Sequence, residues 1–415
     1  MTWFKTVLIC GIVGALFVQV YFDAKVPEAI SERWTVKIID AYLKTFGHMV
    51  SLMSLFGYGD LFSESARKLG DQFALTQMTG SPWGLGEDPE LKIHDSLYDG
   101  VPVRVYEPVA DQAATSRPVV VYFHGGGWSL LSVDAYDPLT RKLAKDTGYV
   151  VISVDYRLAP QHPYPAAFDD CVKVVEYILK NSHDLGLNPA RIAVAGDSAG
   201  GNLAAAVSLR LKEKIRVQIL LVPALQVLNF NTTGFIENAP YMSKSINSPE
   251  NVVFWLNYAG IDLKYLPEFF SNNHTSVELK NSKYAEYANP DKLVPKYYIR
   301  TLALRDTELR KDFGNRELWE KIKHRLLDPY LAPLMAGDDM LRRTAHAYVM
   351  TAGYDIIRDD GIMYVSRLKA VGSKAMIRNF PEAFHHCMWF HSGPLRVNVG
   401  TRVVRDVTNF LKNHL

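Results

Sequence analysis

The sequence predicts an α/β fold: a mostly parallel central sheet with helices on both faces, carrying a helical cap. Three observations predict it. From Val101 onward, apolar runs alternate with helical stretches, the pattern of parallel strands joined by crossover helices. The runs at 119–123, 150–154, 192–195 and 217–222 are rich in β-branched residues and apolar throughout except for Ser153 and Gln218, as suits strands buried on both faces. Between about 226 and 326 the alternation stops, and aromatic and asparagine residues take over without a clear strand. A chain of 415 residues with 48% apolar content can fill one large core and still carry such an insertion.

The first element is an apolar run at 6–22 that contains no charge. As a helix it would be about 26 Å long, close to a hydrocarbon core of about 30 Å. Trp3, Phe4 and Tyr21 stand at its ends, where aromatic rings favour the interface. The flank Tyr21-Phe22-Asp23-Ala24 has no small-x-small cleavage pattern, which favours a signal-anchor over a removed leader. The predicted organisation is therefore a transmembrane signal-anchor at 1–24, a connector at 25–90, and an α/β unit at 91–415. The cap insertion occupies about 226–326, joined near residues 241–250, and residues 28–80 supply a second piece of it. Lys5 and the amino terminus on one side face Lys25, Arg33 and Lys37 on the other, so charge does not orient the anchor.

The strand at 119–123 opens into His124-Gly125-Gly126-Gly127-Trp128. Consecutive glycines let several backbone N–H groups point into one concavity, which suits a developing oxyanion. A phosphate cradle fits less well. A dinucleotide fingerprint would need glycine at Leu130, and no lysine–hydroxyl pair follows to make a P-loop.

After the run at 192–195 comes Gly196-Asp197-Ser198-Ala199-Gly200, then a small-residue helical stretch. Strand, sharp turn and helix with a serine at the apex describe a nucleophile elbow, with the Ala199 N–H as a further oxyanion donor. Such a serine needs a base and an acid, in the chain order serine, acid, histidine. Asp355 follows the strand-like run 347–351, where a parallel sheet gathers its reacting groups. Asp359 and Asp360 are rivals, but they open a helical stretch at 359–370, where a carboxylate acts as an N-terminal cap. The base is His385 or His386, after the strand-like run 375–380, with His391 a distant third. Two adjacent imidazoles cannot both point at Ser198. A metal site from His385, His386, Cys387 and His391 matches no standard zinc spacing.

These motifs resemble the hormone-sensitive-lipase branch of the α/β-hydrolases, and within it the arylacetamide deacetylase and neutral cholesterol ester hydrolase family. The resemblance is carried by residues 124–128, Asp155-Tyr156-Arg157-Leu158-Ala159-Pro160, His162-Pro163-Tyr164-Pro165-Ala166-Ala167, and 196–200. Ala332-Pro333-Leu334-Met335-Ala336, Tyr354-Asp355, Arg358-Asp359-Asp360-Gly361 and Phe384-His385 extend it. It implies an α/β-hydrolase fold and a serine esterase or deacetylase in which Ser198, His385 and Asp355 are catalytic. Gly125, Gly126, Gly127 and Ala199 would form the oxyanion hole. By register the base is His385, and His386 stands where the family has a small residue. Gln161 stands where it often carries glutamate, and Ser129 and Ala352 where some relatives have cysteines. The resemblance also implies a single-pass type II anchor in the endoplasmic reticulum membrane, with a lumenal catalytic domain.

The substrate class is then a small-molecule or lipid ester or amide, with no cofactor and no metal. A long-chain or sterol ester is the alternative substrate, and a non-catalytic ligand-binding protein on the same fold is the alternative of another class. Net charge of +2 without a basic stripe implies no nucleic-acid partner. Cys10, Cys171 and Cys387 are expected to be free thiols. Asn231-Thr232-Thr233 and Asn273-His274-Thr275 are candidate glycosylation sequons, a number chance alone would supply. Oligomeric state is not encoded in any motif.

Overall fold

The computed structural model describes residues 19–111, 116–242, 247–300 and 314–415. The predicted anchor falls mostly on residues 1–18, outside the described residues, as does Cys10. Among the described residues no helix is long and apolar enough to cross a membrane. The predicted cap joint near 241–250 is described only in part.

Among the described residues eight strands form one sheet: β1 Leu91–Tyr98, β2 Val101–Pro108, β3 Arg117–Phe123, β4 Val150–Val154, β5 Leu187–Asp197, β6 Val217–Leu221, β7 His346–Tyr354 and β8 Ala375–Phe384. Their order is β1-β2-β4-β3-β5-β6-β7-β8. β2 runs antiparallel to β1 and β4, and every other pair is parallel. Val121 pairs with Ile152 on one side and Val194 on the other, so the predicted runs lie side by side at the centre.

Side chains of a strand alternate between faces, and both faces are apolar here. Val119, Val121, Phe123, Ile192 and Val194 enter one core; Val120, Tyr122, Ala193 and Ala195 enter the other. Helices α1 Arg33–Leu55, α2 Glu64–Thr79, α3 Val133–Thr147, α4 Ala166–Lys180, α5 Ala199–Leu211, α6 Thr233–Asn238, α7 Val252–Ala259, α8 Arg316–Leu326, α9 Arg358–Ala370 and α10 Asn398–His414 surround the sheet. α4, α5 and α9 cover the first face; α3 and α10 cover the second, where α1 and α2 add Val36, Ile39 and Met78. Each buried Val, Leu or Phe on these stripes contributes about 1.5–3 kcal/mol.

β8 is longer than its apolar run, continuing through Pro381 to Phe384. A proline removes a ladder donor and is tolerated where a strand has one neighbour, and β8 is the sheet edge. The pairing of β7 with β8 shifts between Ala352 and Tyr354, where Gly353 lies so close to the Pro381 carbonyl that a Cβ would overlap it. This irregular end carries His385 to the side of Asp355.

The segment after β6 divides its roles. α8 sends Leu318, Trp319, Ile322 and Leu326 into the main core, while Asn251, Phe254 and Trp255 line the cavity at Ser198. Residues of α1 and α2 line the same cavity from the opposite end of the chain.

Candidate active site

Ser198 sits between β5 and α5 with φ 53° and ψ −117°, a backbone that non-glycine residues rarely adopt. Its neighbours hold it there. Ser198 N–H donates to the Leu221 carbonyl at 2.8 Å, and its carbonyl accepts from Asn202 N–H at 3.1 Å and Ala224 N–H at 3.2 Å. A Cβ on Gly200 would collide with the Phe123 carbonyl oxygen, and one on Gly196 with the Gly200 carbonyl. The glycines thus permit the close approach that lifts the serine out of the sheet.

Asp355, His385 and Ser198 come together although they follow three different strands. In the tautomer protonated at Nδ1, His385 donates to Asp355 Oδ2 at 2.7 Å, and its Nε2 accepts from Ser198 Oγ at 3.0 Å. Asp355 is fully buried and accepts from Ile357 N–H at 3.0 Å, which fixes the carboxylate. Asn238 Nδ2 donates to the Asp355 carbonyl and Asn247 Nδ2 to that of Tyr354, bracing the same turn. Burial pushes the His385 pKa down, but the Asp355 charge and hydrogen bond outweigh it and hold it above its ordinary value. A base must be neutral, so activity rises as pH climbs through this raised pKa. Asp355→Asn removes the charge that raises it. The acid limb of the kcat/KM profile is therefore expected to move to lower pH, and a limb that stays in place would contradict the assignment.

The glycine loop differs in one respect from expectation. Gly125 N–H donates to Tyr136 Oη at 2.8 Å, so it is not available to an oxyanion. Gly126, at φ +107°, and Gly127, at φ +63°, line the cavity with Ser198. Among the described residues no acceptor is bonded to the N–H groups of Gly126, Gly127 or Ala199. Ala199 is the first residue of α5, where backbone donors are unsatisfied and the helix dipole favours negative charge. The N–H groups left open toward an oxyanion are therefore those of Gly126, Gly127 and Ala199.

Asp197 and Tyr136 were not singled out by any sequence signal for a role beside Ser198. Asp197 is fully buried, accepting from Tyr122 Oη and Tyr136 Oη at 2.8 Å each and from His386 Nδ1 at 3.2 Å. Burial raises its pKa, yet the His386, Tyr136 and Tyr122 contacts together hold it below the usual carboxylate value. Burial and the neighbouring His385 push the His386 pKa down. His386 has φ +62°, the left-handed backbone in which a glycine would be unstrained. One polar chain therefore joins the glycine loop to the histidine loop through Asp197. His386→Gly should relieve about 1–2 kcal/mol of backbone cost but lose a hydrogen bond to a buried charge of about 1.5–3 kcal/mol. A net destabilisation of about 1 kcal/mol is expected in denaturant titration; a gain in stability would show that backbone strain dominates.

Other sequence candidates are placed elsewhere. Asp359 and Asp360 do not cap their own helix but reach across to neighbouring segments. Asp359 accepts from Gly234 N–H at 2.6 Å and Arg358 Nε at 2.9 Å, tying α9 to α6. Asp360 accepts from Leu225 N–H at 2.9 Å and Gln226 Nε2 at 3.1 Å, with its pKa pushed up to about 7 by burial. His391 Nδ1 faces the Met388 carbonyl, and Cys171 and Cys387 are buried free thiols. The three histidines of the conceivable metal set thus face different partners, and among the described residues no cluster could hold a metal. Asn231 and Asn273 are half-buried, the sequon threonines Thr233 and Thr275 are buried, and Asn273 Nδ2 donates to Glu268.

The cavity opening at Ser198 and His385 has a volume of about 250 Å³. Its walls are apolar, with Ile39, Leu43 and Phe46 from α1, Phe73 from α2, Phe254 from α7, and Trp389. Arg67 of α2 clamps its rim. Nε donates to the Ser129 carbonyl at 2.8 Å, and Nη2 donates to the Ala159 carbonyl and Gln161 Oε1 at 2.7 and 2.6 Å.

Comparison with known proteins places the chain in a family. Residues 120–279 and 297–389 match the family model described as alpha/beta hydrolase fold. Arylacetamide deacetylase of Bos taurus is 32% identical over 423 residues, covering 98% of each chain. Neutral cholesterol ester hydrolase 1 of Bos taurus is 30% identical over 409 residues, covering 95% of this chain and 96% of that one. Among solved structures, a thermostable carboxylesterase cloned from a metagenomic library superposes with a TM-score of 0.60 at 25% identity, over 85% of this chain and 96% of that one. An esterase of Pyrobaculum calidifontis gives 0.59 at 25% identity, over 84% and 92%. The protein is thus a serine ester hydrolase of the α/β-hydrolase family, in the branch of arylacetamide deacetylase and neutral cholesterol ester hydrolase.

Proposed function

We propose that the protein cleaves small carboxylic esters or arylamides through an acyl-enzyme on Ser198. The alignment of Ser198, His385 and Asp355 within hydrogen-bond reach carries this proposal. His385 Nε2 takes the Ser198 proton as Oγ attacks the carbonyl carbon, and the carbonyl oxygen becomes an anion. Gly126, Gly127 and Ala199 N–H groups hold that anion; one such donor is worth about 10²–10³ in rate. His385 then gives its proton to the leaving alcohol or amine, and Asp355 holds the imidazolium in register. Water repeats the sequence on the acyl-enzyme. No step calls on a metal or organic cofactor.

The cavity volume favours a small acyl or aryl group, since about 250 Å³ lies below the ~300–1,000 Å³ of drug-sized ligand sites. Its apolar walls favour a second substrate, a long-chain or sterol lipid ester, if the walls part to admit it. A receptor on this fold is disfavoured by the intact hydrogen-bonded triad. The run at 6–22 supports a membrane anchor, and the resemblance supports its type II orientation in the endoplasmic reticulum with a lumenal catalytic domain. The deciding measurement is kcat/KM for an aryl acetamide against a long-chain lipid ester, using the intact protein. Preference for the acetamide upholds the small-substrate proposal; preference for the lipid ester replaces it, and serine-dependent turnover of neither favours the receptor. Protease protection of the catalytic domain in sealed microsomes tests the lumenal placement.

A further inference from the structure

Helix α1 has two apolar faces. One faces inward, where Ile39, Leu43 and Phe46 line the cavity that opens at Ser198. The other carries Trp34, Ile38, Met49, Leu52 and Phe56, all solvent-exposed, with Trp34 at 72% and Phe56 at 71%. At 3.6 residues per turn these five fall within an arc of about 60°, one apolar face in two exposed patches, Trp34 with Ile38 and Met49 with Leu52 and Phe56, separated by buried Ala41 and half-buried Thr45. Leu55 and Tyr58 widen it at the C-terminal end, at 83% and 70% exposure. Single exposed apolar residues are ordinary, but a stripe along a helix of 23 residues marks a surface that something covers.

What covers it is indicated by where the chain comes from. The charge-free run 6–22 ends packed on this helix: Tyr21 Oη bonds His48 Nδ1 at 2.8 Å, and Lys44 Nζ donates to the Val20 carbonyl at 3.2 Å. Arg33 is exposed directly before Trp34, and Lys37 Nζ lies 5.4 Å from the centre of the Trp34 ring. Cations beside an apolar stripe suit a headgroup layer above acyl chains.

We propose that the outward stripe of α1, from Trp34 to Phe56, lies in the plane of a lipid bilayer. The helix then separates the bilayer from the Ser198 cavity by its own thickness, about 10–12 Å. The proposal rests on the membrane attachment put forward above and specifies which surface of the folded domain touches lipid. Its consequence for the site is that esters dissolved in the bilayer reach the cavity past α1, whereas water-soluble esters do not depend on that contact.

The test uses the full chain reconstituted in phosphatidylcholine–phosphatidylserine vesicles. Cys10→Ser removes a competing thiol, and an environment-sensitive fluorophore is placed by Leu52→Cys or, as control, by Leu97→Cys on β1, whose native side chain is exposed. At position 52 the fluorophore should be quenched by doxyl-labelled lipid and shielded from aqueous iodide, with the reverse at position 97. Quenching by iodide at 52 overturns the proposal. So does shielding from both quenchers, which would mean that residues 1–18 or a second copy of the chain cover the stripe. In parallel, Leu52→Glu with Phe56→Glu should lower kcat/KM for a long-chain ester in vesicles by about tenfold. Turnover of a water-soluble acetate ester should stay within about twofold. Equal losses on both esters, or none, overturn the docking proposal. A wild-type chain that hydrolyses neither ester would instead sink the catalytic proposal, and the quenching pattern would still decide the docking.

Discussion

Ser198→Ala is expected to lower kcat by about 10⁶, because loss of the nucleophile removes the covalent route. Substrate binding should change little, since the lost hydroxyl contributes nothing to the apolar cavity walls. The measurement is kcat and KM for one soluble ester, with labelling by a serine-directed phosphonate alongside. Wild type should label at one equivalent and the variant not at all. Residual turnover above the uncatalysed rate is expected from the oxyanion donors and binding alone, so a small remaining activity is consistent with the mechanism. Full-stoichiometry labelling of the variant would place the nucleophile elsewhere.

Gly200→Ala is expected to have the largest effect on stability, although it adds one methyl. That methyl would overlap the Phe123 carbonyl and press on the His124 carbonyl, both rigid backbone at the end of β3. Ordinary overpacking costs about 1–3 kcal/mol when side chains can yield. Backbone cannot yield without moving α5 off the sheet, so the loss should reach about 3–5 kcal/mol or prevent folding. Thermal unfolding of the two proteins measures it. A shift of only a degree or two would mean that α5 can slide away from β3 at little cost. Gly47→Ala in α1 is a fitting control: like Gly200 it lies in a helix without a positive φ, but nothing lies within 4 Å of its Cβ position.

Much of the central sheet could be read from residue type because its strands are buried on both faces. Runs such as 119–123 and 150–154 have no amphipathic alternation to confuse them with helices. The triad residues were legible for a related reason. Each lies directly beyond the carboxyl end of a strand, and chain order narrows the choice of acid and base. β8 extends four residues past its apolar run, and this second half, with Pro381 and Glu382, lacks strand character in the sequence; its pairing with β7 holds it there. Asp359 and Asp360 carry a helix-start pattern, but apart from the Arg358 contact their hydrogen bonds go to residues 225, 226 and 234, more than a hundred positions away. Local pattern cannot report such partners. The commitment of Gly125 to Tyr136, and of Asp197 to His386, were hidden for the same reason.

The Arg67 clamp bears on how this enzyme should be produced. Its donors grip the carbonyls of Ser129 and Ala159 and the Gln161 amide, so the loop that follows the oxyanion glycines leans on α2. Shortening the gene to begin at the sheet, a common route to an easily purified hydrolase, would remove that grip together with the α1 and α2 walls of the cavity. Such a fragment could retain the triad yet report the selectivity of an open cleft. Substrate screens on truncated material would then rank esters by solubility and miss the discrimination that the whole chain exerts.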